Sequence, residues 1–128
     1  MSIENAVIAK IAALATGAGS RIYREVIVQE PQLPAVAVSR LSGAGMAHTV
    51  GNVPLLQRAT LRIETIGDAM GQVAPVAAAI ATGLDGWRGT QGAVAVLMCR
   101  LQQQQEQADA EGDRTFRVIQ QDFDIVWR

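Results

Sequence analysis

The sequence predicts an α+β fold: one four-stranded, mainly antiparallel sheet with two helices packed on one face. Three observations carry this expectation. Two segments repeat apolar residues at helical spacing, four others alternate or run apolar as strands do, and their order is helix, strand, strand, helix, strand, strand, which leaves adjacent strands free to pair antiparallel. A chain of 128 residues matches a single domain over its whole length, and its 49% hydrophobic and 18% charged content lies far from the composition of disordered chains.

The first helix is expected from Ser2, which can cap it, with Glu4 at its positive end and Ile3, Val7, Ile8, Ile11 and Leu14 in a stripe; Gly17 and Gly19 stop it. After an extended piece at residues 21–28, Pro31 and Pro34 punctuate the chain. Residues 35–42 (AVAVSRLS) alternate as a strand, with Val36, Val38 and Arg40 on one face and Ala35, Ala37, Ser39 and Leu41 on the other; the pattern leaves open which face turns inward. Residues 43–55 are Gly-rich and aperiodic, a loop of unusual length, and such loops tend to be functional. Residues 57–66 form the clearest strand, with Leu61 and Ile63 inward between Arg62 and Glu64.

Asp68 is a candidate cap for the second helix, whose apolar positions are Val73, Val76, Ala77, Ile80 and Leu84. Pro75 implies that this helix starts near Ala74 or bends there, and its end is expected near Gly83. Residues 86–92 read as a turn and residues 93–101 as a central strand. In the last segment Ile119, Phe123, Ile125 and Trp127 alternate against Gln120, Asp122 and Asp124, which makes a hairpin with a long tip.

Composition excludes several functions. Eleven Lys and Arg against twelve Asp and Glu give a net charge of -1, so no broad field attracts nucleic acid. No window reaches the roughly 20 apolar residues of a membrane span, and residues 2–16 lack the basic start of a secretory signal, so synthesis in the cytoplasm is expected. Cys99 is the only cysteine, which leaves no internal disulfide or cysteine metal cluster, and its apolar strand assigns it to packing. His48, the one histidine, sits in the Gly-rich loop beside no nucleophile or carboxylate. Gly43 and Gly45 lack the spacing and Lys-Ser/Thr partner of a phosphate loop. Asp122 and Asp124 share a strand face and could serve as acid and base or bind a hard cation, but a solvent-facing or interface edge is the favoured explanation. No catalytic, cofactor or metal residues are therefore assigned, and the chain is read as a protein-binding domain and not an enzyme.

The order of its short motifs resembles that of the tail-completion, or tail-terminator, proteins of long-tailed bacteriophages and prophages. The resemblance runs from the N-terminal helix through Gly19-Ser20-Arg21-Ile22-Tyr23, residues 33–42 (LPAVAVSRLS), Arg62-Ile63-Glu64-Thr65 and Leu84-Asp85-Gly86-Trp87-Arg88-Gly89 to the ending Asp122-Phe123-Asp124-Ile125-Val126-Trp127-Arg128. It covers essentially the whole chain and departs at residues 46–53, at Gly71 and Pro75, and in the tract of four glutamines at 102–105. It implies a virion structural protein without catalysis or cofactor. Such a protein forms a ring, expected to be a hexamer, at the head-proximal end of the tail tube, where it ends tube growth and offers the head-tail connector a docking surface while DNA passes through without specific binding. Candidate interface residues lie in the two long loops: Met46, His48, Val50, Asn52 and Leu55 in the first, and Gln105, Asp109, Glu111 and Asp113 in the second. The alternatives are another head-tail joining protein, a stopper or adaptor, or a small hydrolase or metal-dependent enzyme built on Asp122, Asp124 and Arg100.

Overall fold

The computed structural model describes residues 2–25, 32–42, 49–50, 53–54, 56–111 and 114–128. In chain order the elements are α1 (Ile3–Ala13), β1 (Ile22–Arg24), β2 (Ala35–Ser42), β3 (Thr49–Val50), β4 (Val53–Pro54), β5 (Gln57–Gly67), α2 (Met70–Leu84), β6 (Gly89–Gln91), β7 (Val94–Glu111) and β8 (Arg114–Trp127). The sheet has six strands, not the expected four, in the order β1-β2-β5-β8-β7-β6, with β3 and β4 forming a separate two-stranded ladder. Only β1 and β2 run parallel; every other pair is antiparallel. The two added strands, β1 and β6, are three residues each. A strand that short shows at most two side chains on a face, so no alternation announces it.

The helices form where their patterns place them. Ser2 Oγ accepts the Asn5 N–H at 3.1 Å and caps α1, which buries Ile3, Val7 and Ile11 against the sheet. The second helix departs from expectation at its start: it begins at Met70, continues through Pro75, and has Ala69 at its cap position with no side-chain cap bond. Gln72 Oε1 instead accepts the Asp68 N–H at 2.8 Å, so Asp68 is not the cap residue. α2 buries Val73, Val76, Ala77, Ile80 and Leu84, the stripe its spacing predicts. The two helices approach closely where Leu14 lies on Gly83; a Cβ at Gly83 would stand 2.5 Å from Leu14 Cδ2.

Strands β5 and β8 form the centre of the sheet, paired without interruption from Gln57↔Trp127 to Gly67↔Arg117. Their inward residues, Ala59, Leu61, Ile63 and Thr65 on β5 and Ile119, Gln121, Phe123, Ile125 and Trp127 on β8, are all buried. Val36 and Val38 settle the open face of β2, since both join the core. Fully burying each of Leu61, Ile63, Phe123 and Ile125 contributes roughly 1.5–3 kcal/mol. Gln121 breaks the apolar row: it is fully buried, its amide nitrogen donating to the Ala77 carbonyl and to Gln104 Oε1, both at 3.0 Å.

Candidate assembly surfaces

β7 and β8 stay paired through Glu111↔Arg114, so residues 105–111, expected as a hairpin tip, are strand. The glutamine tract leads into an arm exposed along residues 102–108. Sequence reading missed this extension because residues exposed on both faces show no period; pairing to β8 holds them extended.

The outer edge of β7 is treated differently along its length. β6 covers Val94 to Val96. Beyond it, the C-terminal turn of α2 takes over: Gly86, with φ 83, donates its N–H to the Cys99 carbonyl at 2.7 Å, and Asp85 Oδ1 accepts the Leu101 N–H at 3.0 Å. Cys99 and Leu101 thus turn their backbone groups away from β8. A bulge between Leu101 and Gln103 shifts the alternation, so Gln104, Glu106 and Ala108 turn theirs outward next. Among the described residues nothing pairs with those groups. This feature could be found only from pairing geometry, and Asp85, which guards the neighbouring stretch, carries no sequence signal of that role.

The face of β5 and β8 away from the helices is a ladder of opposite charges. Arg58 Nε donates to Asp124 Oδ1 at 2.9 Å and its Nη2 to Oδ2 at 2.5 Å; Arg62 does the same to Asp122 at 3.0 and 3.2 Å. Both carboxylates are buried and held bidentate by planar guanidiniums. The Asp124 bond raises the Arg58 pKa above its ordinary value, and Asp122 raises that of Arg62. A carboxylate whose lone pairs are spent on arginine is poorly placed as a general acid or as a cation ligand. No group of three or more acidic, histidine or cysteine residues able to hold a metal occurs among the described residues.

On the helix-bearing face of the sheet, buried Glu4 ties α1 to two strands. Its Oε1 accepts from Arg40 Nε at 2.8 Å, Arg24 lies 3.8 Å from its Oε2, and the Arg40 guanidinium stands over the Trp127 ring. Burial pushes the Glu4 carboxyl pKa up, but its own backbone N–H and the two arginines outweigh this and hold it below the ordinary value. Cys99 is buried, and burial first, then Asp85 and Asp124, push its thiol pKa up to about 12, which leaves it protonated and unreactive at neutral pH.

Of the sequence-predicted interface residues, Gln105 is exposed on β7, and Asp109 and Glu111 lie on the same strand, not on a tip. Val50 ends β3. Met46, His48, Asn52, Leu55 and Asp113 lie outside the described residues. Asp122 and Asp124 do share a face, as their spacing requires, while Arg62 and Arg58 went unnoticed as their counterparts, and Arg40 as that of Glu4, because those partners are distant in sequence.

No helix is long and apolar enough to cross a membrane among the described residues. No curated protein matches the chain in sequence. A solved structure titled as the virion of a native gene transfer agent particle contains a chain of similar fold, with TM-score 0.68 and 17% identity, covering 98% of this chain and 94% of that one. A second solved structure has TM-score 0.54 and 14% identity, with 98% and 96% coverage. Both likenesses concern the fold. The family model for tail completion protein gp17 matches residues 6–128, nearly the full length, and the chain belongs to that family.

Proposed function

We propose that this protein is a structural virion component that forms a ring, a hexamer by the family resemblance, on the head-proximal end of the tail tube. There it ends tube polymerisation and presents the surface to which the head-tail connector docks. The observation that carries this reading is the family match across residues 6–128. The physical picture supports it. A long exposed arm with outward backbone groups open at Gln104, Glu106 and Ala108, and a slightly acidic chain of net charge -1, suit a subunit that contacts its neighbours and lets DNA pass without holding it.

The protein acts by occupying an end, and no catalytic step is assigned to it; the arginine-bound Asp122 and Asp124 serve structure. It is made in the host cytoplasm and resides in the virion. Met46, His48, Val50, Asn52 and Leu55 in one segment, and Gln105, Asp109, Glu111 and Asp113 in another, contact the tube, the connector or the neighbouring subunit.

Electron microscopy of particles assembled without this chain tests the reading. Tail tubes longer than normal and free of heads are expected. Tails of normal length beside heads that leak their DNA would instead place the chain as a stopper on the head side.

A further inference from the structure

The protein guards the outer edge of β7 as far as Leu101, with β6, the Gly86 N–H and the Asp85 carboxylate, and then stops guarding it at Gln104, Glu106 and Ala108. Natural sheets seldom leave such a row of donors and acceptors open without proline, lysine or a covering element. At the far side of the same sheet, β1 is the other terminal strand. The Arg21 carbonyl accepts the Val36 N–H and the Glu25 N–H donates to the Val38 carbonyl, so the parallel alternation turns the Arg24 N–H and C=O to the free side.

We infer that these two edges are the seam of the ring: within its open stretch from Gln104 to Ala108, the β7 arm of one subunit pairs with Arg24 at the β1 edge of the next copy. This rests on the ring reading above and specifies how the ring closes. Three arguments favour a second copy, in this orientation, as the occupant. Joining one edge to a different edge is a head-to-tail contact, the kind that propagates around a ring, whereas pairing β7 with itself closes a two-fold dimer. Charge then discriminates between them. Self-pairing antiparallel about the centre of the open stretch would set Glu106 against its own copy, and like charges directly opposed are destabilising. The β1 edge instead offers Arg24, whose side chain is 48% exposed. The half-exposed Arg24 can reach a neighbour's carboxylate while Arg40 keeps its 2.8 Å bond to Glu4.

Proline placed at Glu106 separates the seam from the fold. The Glu106 N–H points away from β8, so Glu106→Pro costs the hairpin no bond, but it deletes a donor from the seam and thrusts a ring into it. The experiment measures ring mass by light scattering, with purified tail tubes present, for the wild type, Glu106→Pro, Ala108→Pro and Arg24→Glu, alongside the thermal melting of each. The two proline variants are expected to melt near the wild type and Arg24→Glu lower, since it sets a second carboxylate beside buried Glu4, and all three are expected to need a roughly tenfold or greater rise in concentration for half-assembly. Rings formed as readily by the folded variants as by the wild type overturn the seam and leave the ring reading intact. If Glu106→Pro itself melts early, Ala108→Pro decides the matter. A wild type that makes no ring overturns both.

Discussion

Replacing Glu4 with Gln removes one charge from the junction of α1, β1 and β2 while keeping its shape. Glu4 accepts a charge-assisted hydrogen bond from Arg40 at 2.8 Å, a class of bond that contributes about 1.5–3 kcal/mol. The Arg40 side chain is 37% exposed and regains water when released, and Gln retains one acceptor, so the expected loss falls to roughly 1–2 kcal/mol. For a domain of this size that lowers Tm by roughly 3–8 °C. The pH dependence gives the sharper test. The folded-state pKa of Glu4 is lowered, so its stabilisation is complete above the unfolded-state carboxylate value and disappears as pH falls through the folded-state value. Thermal unfolding followed by circular dichroism at neutral pH and in acid should therefore show the gap between wild type and Glu4→Gln closing on acidification. Equal melting at neutral pH, or a gap that persists undiminished in acid, would refute the assignment of Glu4 as a charged anchor.

Asp124→Asn should lower the melting temperature only slightly, since the Arg58 side chain is 54% exposed and solvent screens the pair; calorimetric titration with a divalent cation should show no binding for either form. Gln121→Met removes two hydrogen bonds but also the buried Oε1 that has no partner. These effects oppose each other at about 1–3 kcal/mol each, so denaturant unfolding should show a net change within about 1 kcal/mol. Ile11→Asp places an unpaired charge at a fully buried position and should cost about 4 kcal/mol or more, read as loss of a cooperative unfolding transition. The Cys99 thiol should resist a thiol reagent at neutral pH in the native protein and react promptly once denaturant unfolds it.

Much of this fold is legible in the residues because its central elements bury one face against water's exclusion. Leu61 and Ile63 on β5, and Phe123 and Ile125 on β8, alternate cleanly, and the α2 stripe from Val73 to Leu84 repeats at helical spacing. What escaped reading is held by partners and not by pattern. β1 and β6 exist because neighbouring strands supply their hydrogen bonds, and the β7 arm beyond Leu101 exists because β8 runs alongside it. α2 begins before Pro75 even though Ala69 supplies no side-chain cap, since Gln72 caps the Asp68 N–H. The candidate assembly surface divides the same way. Acidic and glutamine-rich residues of the arm are visible in the sequence, but the bulge after Leu101 decides which of them turn their backbone outward, and cross-strand register alone shows Arg58 and Arg62 neutralising Asp124 and Asp122.

The central claim is that subunits of this protein close into a ring on the end of a tail tube. Purified protein bearing an electron-dense label, mixed with purified tubes and viewed by electron microscopy while the mass of the tube-free protein is followed by light scattering, tests it most directly. The account predicts label at one end of each tube, in a ring-shaped cap, and tubes that no longer elongate when fresh tube subunits are supplied; label scattered along the tube walls, or absent from tubes that keep growing, would contradict it.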